Sequence, residues 1–205
     1  MPVLLSVLSY PKADGRGRTK MKKDLLLVVD MQNVYGEGGQ WYCPGVKVAG
    51  DNIKKILKKN PKNLDVIFTA FVAPKHPQGA WADYNRENHL VNQDAYANKI
   101  MDLFSDDLKM YPLYEKSTYS SLSIPEVLKG VEGADRVVLT GVVAECCVLA
   151  TAMALIDQGS YVVYLTDACA GINEETEKAV ETVLKGLEPL HVKRMTTKEY
   201  LQDKL

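Results

Sequence analysis

Arg136-Val-Val-Leu-Thr-Gly-Val-Val-Ala-Glu-Cys-Cys-Val-Leu-Ala-Thr-Ala152 is an apolar run, a glycine, and a small-residue segment that continues through Met153, Ala154, Leu155 and Ile156. It reads as a buried strand, a tight turn and a helix, with Cys147 on the first helical turn. A thiol placed there feels the positive end of the helix dipole and backbone N–H groups that lack intrahelical partners. Both favour the thiolate. The same N–H groups suit an oxyanion. One short segment therefore carries a nucleophile and its charge-stabilising donors, the arrangement expected of a cysteine that attacks a carbonyl.

Working outward, apolar runs alternate with helix-period segments from residue 24 onward. Leu25–Val29 is too continuously apolar to have a wet face. Val46–Lys59 carries an apolar stripe at Val48, Ile53, Ile56 and Leu57, and Pro61 stops it. Asp65–Thr69 reads as a second strand, residues 72–93 as a long loop, and Ala95–Phe104 as a short helix. Met110–Tyr114 leads to Lys116, placed at the end of a strand over Tyr111–Glu115. Ile124–Lys129 is a small helix with proline near its start. The cysteine helix ends near Gly159, and Tyr161–Thr166 is a strand. Asn173 opens an amphipathic helix with an acidic first turn. His191–Arg194 and a helix from Thr197 close the chain. This alternation predicts a three-layer α/β/α sandwich around a mostly parallel, Rossmann-like sheet. Ligands on such sheets sit beyond the carboxyl ends of the strands.

The chain has 205 residues, enough for one domain with a substantial core. Residues 23–205 are read as that domain and residues 1–22 as an extension without a catalytic role. The 25 basic and 26 acidic residues nearly cancel, so charge implies neither nucleic acid nor a membrane surface as partner. No apolar run approaches the roughly 20 residues a transmembrane helix needs, and Pro2–Leu8 is too short and wrongly flanked for a signal peptide. The four cysteines, Cys43, Cys146, Cys147 and Cys169, form neither a zinc pattern nor a disulfide framework. They read as reduced thiols of a cytoplasmic protein, with Cys146 as buried packing one helical step from Cys147.

Three residue types fall at comparable places. Asp30 follows the first strand, Lys116 ends another, and Cys147 lies one turn beyond the Arg136–Thr140 strand. A carboxylate to take the thiol proton, an ammonium to steady negative charge, and a thiol to attack make a complete nucleophilic set.

Val28-Val-Asp-Met-Gln-Asn33, followed by Val34 and Tyr35, resembles the V-x-D-x-Q-x-x-F opening of the isochorismatase-like cysteine hydrolases. Tyr114–Ser120 resembles their K-x-x-x-S-x-F segment. Gly141–Ala152 resembles their G-x-x-[TS]-[DNE]-x-C-V-x-x-T-A segment, and Tyr164–Ala170 fits the D-A-x-A strand end. Order and spacing agree over roughly residues 24–195. The resemblance implies Asp30 as general base, Lys116 as cationic partner and Cys147 as nucleophile. It implies a cis peptide at Val142–Val143, with the N–H groups of Val143 and Cys147 as the oxyanion hole. It also implies a homo-oligomer, dimer or tetramer.

The chain departs from the family's nicotinamidases where they bind a divalent metal. Phe71 and Ala73 stand at positions of an aspartate and a histidine, and neither side chain has a donor atom. His76 and His89 read as structural or solvent-facing, so no metal and no cofactor is expected. Isochorismatases proper do not use a cysteine nucleophile. The reading that results is a metal-independent cysteine amidohydrolase cleaving a small amide, carbamoyl or ureido substrate through a thioester. Its rivals are a nicotinamidase-like enzyme with an altered metal site and a catalytically idle binding subunit. Tyr35, Phe71, Trp81, Arg86 and Tyr119 are the expected substrate-binding residues, with Trp41 and Tyr84 as further aromatic walls and Arg86 as the group for a substrate carboxylate.

Overall fold

The computed structural model describes residues 23–203. The expected extension over residues 1–22 lies outside the described residues. Six strands form one sheet: β1 (Asp24–Val29), β2 (Leu64–Phe71), β3 (Leu113–Lys116), β4 (Arg136–Val142), β5 (Val162–Ala170) and β6 (Val192–Met195), in the order β3-β2-β1-β4-β5-β6. All neighbouring strands run parallel. The order reverses between β1 and β4, and a crevice opens at such a point beyond the strand ends.

Both faces of the sheet are covered. On one, α1 (Val46–Lys59) buries Val46, Ile53, Ile56 and Leu57 against Leu26, Val28, Phe68 and Val138, and Tyr200 of α8 (Thr197–Asp203) joins the cluster. On the other lie α5 (Pro125–Glu132), α6 (Leu149–Asp157) and α7 (Glu174–Lys185). They pack Val127, Leu155, Val180 and Leu184 against Leu25, Leu27, Val29 and Leu139. Alternate residues of β1 therefore feed opposite cores, and every residue of that strand is buried.

Several local expectations change. Residues 72–93 are not one loop: α2 (Ala80–Glu87) and α3 (His89–Gln93) lie within it. Neither has a side-chain cap at its N-terminus, and α2 buries no residue fully, so little periodicity marked them. The expected helix over 95–104 is instead α4 (Ala95–Asn98), capped by Asp94, and a separate 3₁₀ turn at Asp102–Phe104. β3 begins at Leu113, after Pro112. β5 runs on to Ala170, past a shift in its register with β4 between Leu139 and Gly141.

Among the described residues, no helix is long and apolar enough to cross a membrane.

Candidate active site

Asp30 leaves the end of β1 with φ of 51°, in the left-handed region that aspartate tolerates better than most residues. Beside it, Gly141 has φ of 110°, and a Cβ there would lie 2.0 Å from the Val29 carbonyl oxygen. Only glycine lets β4 pass so close to β1. The next peptide but one, Val142–Val143, is cis.

The chain then enters a widened first turn over Ala144–Val148 before α6. The Val143 carbonyl accepts from the Cys146 N–H at 3.0 Å and the Val148 N–H at 3.1 Å. An α-turn would have drawn the Cys147 N–H. This π-type turn passes over it, a geometry frequent at functional sites. Thr151 Oγ1 donates to the Cys147 carbonyl at 2.7 Å and accepts from the Ser121 N–H at 3.0 Å. The cysteine helix is thereby tied to the segment that follows Lys116.

The three candidate catalytic side chains meet. Lys116 Nζ lies 2.6 Å from Asp30 Oδ2 and 3.3 Å from Cys147 Sγ, and it donates to the Thr118 carbonyl at 3.0 Å. An ammonium has three protons, and all three are engaged. The second carboxylate oxygen, Asp30 Oδ1, accepts from Thr69 Oγ1 at 2.8 Å. The Asp30 and Lys116 side chains are both 0% exposed, so the charges stand in low dielectric and depend on each other.

The surroundings of Cys147 weigh against the thiolate that its place on the helix favours. Burial pushes its thiol well above the ordinary value, and the adjoining Asp30 carboxylate pushes the same way, while the Lys116 ammonium pulls it down. The helix dipole acts the other way, but Cys147 is only 3% exposed and burial disfavours its charged form. These surroundings favour the protonated form of Cys147, with the Asp30 carboxylate alongside it.

Aromatic rings gather beside this cluster. Phe71 stacks on Trp81 at 6.0 Å, Trp81 meets Tyr84 and Tyr119 at 5.2 Å each, and Trp41 bridges Tyr35 and Tyr84 at 5.9 and 6.2 Å. The Lys116 ammonium lies 5.5 Å from the centre of the Phe71 ring, a cation–π contact. Burial raises the phenols of Tyr35, Tyr84 and Tyr119, and the Cys147 sulfur adds to the shift in each. Three phenol hydroxyls thus stand within electrostatic range of the Cys147 sulfur.

Of the expected substrate-binding residues, Tyr35, Phe71, Trp81 and Tyr119 come together, and Arg86 does not. Its side chain is two-thirds exposed and pairs with Asp83 at 2.7 Å and Glu87 at 3.7 Å along its own helix. Cys146 is half-buried rather than buried and packs against the α1-side core. Two contributors escaped the sequence reading. Thr69 looked like an ordinary strand residue. Gln32 stood in a quoted motif without a role, yet its buried amide pairs with both backbone groups of Phe71, at 2.8 and 3.0 Å, and reaches the Asn98 carbonyl at 2.7 Å.

The metal position of the family's nicotinamidases does not fit a metal here. Phe71 and Ala73 offer no donor atom, and His76 and His89 are exposed on the surrounding segment. Among the described residues no group of three or more histidine, cysteine, aspartate or glutamate side chains is gathered to hold an ion.

A doubly wound parallel sheet with an Asp–Lys–Cys cluster at its switch point defines the class. The chain belongs to the Isochorismatase family, whose domain model matches residues 24–199. In sequence it is 25% identical over 156 residues to isochorismatase domain-containing protein 2 of Xenopus laevis, spanning 75% of this chain and 63% of that protein's length. Its fold is similar to an isochorismatase-like hydrolase from Alkaliphilus metalliredigens, at TM-score 0.72 and 22% identity, covering 91% of this chain and 99% of that one. A cysteine hydrolase from Pseudomonas syringae pv. phaseolicola 1448A gives TM-score 0.73 at 18% identity, over 88% and 91% of the two chains. A pyrazinamidase/nicotinamidase from Streptococcus mutans UA159 gives 0.64 at 19%, over 84% and 99%.

Proposed function

We propose that this chain is a cysteine amidohydrolase that cleaves a small amide, carbamoyl or ureido group through a thioester, with no metal in the reaction path. The observation that carries this reading is the Lys116 ammonium in contact with both Asp30 Oδ2 and Cys147 Sγ. A buried base, a cation and a thiol in mutual contact have no need of each other in a binding module, and removing either charge leaves the other buried without its partner.

In the proposed cycle Asp30 takes the Cys147 proton as sulfur attacks the substrate carbonyl. The carbonyl electron pair moves to oxygen, which accepts hydrogen bonds from the backbone N–H groups of Val143 and Cys147. Lys116 has no proton to spare for that oxygen, since its three donors are committed. Its part is to hold the carboxylate and the developing thiolate together. When the C–N bond breaks, the leaving nitrogen takes the proton from Asp30 and departs as ammonia or an amine. Water then gives a proton to Asp30 and its oxygen to the thioester carbon, and the thiol is restored with the acid released. The aromatic wall keeps bulk water from the thioester. The donor-free side chains of Phe71 and Ala73 support the metal-free part of this reading.

The test is ammonia release from a panel of small amides, carbamoyl amino acids and ureido compounds, with wild type and Cys147→Ala side by side, with and without chelator. Turnover lost in the variant and unaffected by chelator is the expected result. Turnover that survives in Cys147→Ala, or that a chelator abolishes, refutes it.

A further inference from the structure

We propose that Thr69 is a positioning residue for the general base: its hydroxyl orients the Asp30 carboxylate toward Cys147. This rests on the role given to Asp30 above and adds a residue to it.

The need for such a residue follows from the geometry of aspartate. The torsion that turns a carboxylate about its Cβ–Cγ bond is broad and nearly two-fold, so the side chain has no strong orientation of its own. Asp30 also sits in left-handed backbone, a conformation that must be held by its surroundings. Thr69 answers both requirements from one place on β2. Its carbonyl accepts the Asp30 N–H at 3.0 Å, and its hydroxyl donates to Asp30 Oδ1 at 2.8 Å. Lys116 holds the other oxygen at 2.6 Å. With one oxygen pinned from β2 and the other from β3, the carboxylate plane is set, and each oxygen keeps a further lone pair for a transferring proton.

Thr69 and Asp30 are both fully buried, so a donor lost at Oδ1 is not replaced from bulk solvent. The branched Cβ leaves few rotamers for the threonine hydroxyl, which makes it a stiff support. The groups that face the carboxylate are few. Lys116 comes from β3, Cys147 from the turn after β4, Tyr35 from the segment after β1, and Thr69 from β2. Thr69 alone among them carries no ionisable group, so its effect is read without adding or removing a charge.

The experiment uses p-nitrophenyl acetate as probe. Acylation of Cys147 is followed by nitrophenol release and by the mass of the acetylated protein, from pH 5 to 9, for wild type, Thr69→Val, Thr69→Ala, Thr69→Ser and Asp30→Asn. Thr69→Val is expected to slow acylation about ten- to hundredfold at pH 7, the worth of one buried hydrogen bond to a charged group. Its acid limb should move to higher pH, because a carboxylate that loses a donor holds a proton more readily. Thr69→Ser should stay within about threefold of wild type, since the hydroxyl is kept.

A folded Thr69→Val with near-wild-type acylation and an unmoved acid limb would overturn the proposal. So would failure of both Val and Ala variants to fold, which would make Thr69 a residue of the fold alone. Asp30→Asn separates the two levels. If it acylates like wild type, the base assignment fails and takes the role of Thr69 with it. If it is slow while Thr69→Val is not, only the positioning role fails.

Discussion

Replacing Lys116 with methionine should unfold the protein more easily for a reason that can be worked from its contacts. The substitution keeps the length of the side chain and most of its apolar stem. It removes three hydrogen bonds at once, to Asp30 Oδ2, to the Thr118 carbonyl and to Cys147 Sγ. Asp30 is then left with Thr69 as its one hydrogen-bonding donor from a neighbouring strand, at a position where neither side chain reaches water. Stranding one member of a buried ion pair costs about 3–5 kcal/mol. Removing both charges, as in Asp30→Asn with Lys116→Met, should cost clearly less than the sum of the single changes, with a coupling of about 1–3 kcal/mol. Urea unfolding of the wild type, the two single variants and the double variant at pH 7 measures all four corners. A stranded carboxylate escapes by taking up a proton, so the native state of Lys116→Met binds a proton more readily than its unfolded chain. Its deficit should therefore shrink as the pH falls from 7 to 5. A Lys116→Met protein within about 1 kcal/mol of wild type, or additive single changes, would refute the account of Asp30 and Lys116 as a mutually dependent buried pair.

Alkaline stability should fall for a related reason. Burial raises the thiols of Cys43, to about 12, and of Cys147 and Cys169 further, and it raises the phenol of Tyr164. Groups whose folded values lie above their unfolded ones contribute stability that is complete below about pH 8.5 and is lost as the pH climbs toward and through the folded values. Melting temperatures from pH 7 to 11 should thus be flat at first and then drop steeply, and a flat profile to pH 11 would contradict the burial assignments. Gly141→Ala should be among the most damaging single changes, by about 3 kcal/mol or more, because a Cβ would meet the Val29 carbonyl oxygen at 2.0 Å and the backbone has φ of 110°. Denaturant midpoints would show it, and a fully stable variant would mean that β1 and β4 do not approach as described. Arg86→Ala should leave kcat/KM within about twofold on every substrate that turns over and stability within about 0.5 kcal/mol, because its partners are exposed carboxylates on its own helix. A large rise in KM for carboxylate-bearing substrates alone would restore Arg86 as a binding residue.

Much of this architecture could be read from residue order. The apolar runs at Leu25–Val29 and Arg136–Thr140 are buried on both faces, and a continuous apolar run is the signature of that burial. Gly141, the spacing to Cys147 and the placement of Asp30 and Lys116 at strand ends are local facts, and a parallel sheet brings strand ends to one rim. These features were legible because each depends on a few neighbouring residues and on one rule of topology.

Other features depend on groups far apart in sequence. The thiol of Cys147 sits on a helix start that argues for thiolate, and its burial pushes the other way. Arg86 lies among these aromatics in sequence, yet the helical phase of α2 turns Trp81 and Tyr84 inward and leaves Arg86 with Asp83 outside. Thr69 has the composition of any strand threonine, and only the register of β1 beside β2 sets its hydroxyl against Asp30. Sequence by itself determined the order of the layers and the residue types available for chemistry, because periodicity and spacing are written along the chain. Tertiary structure alone decided which of those groups are dry, which are paired and which face outward, because burial and charge pairing are set by what other segments bring alongside.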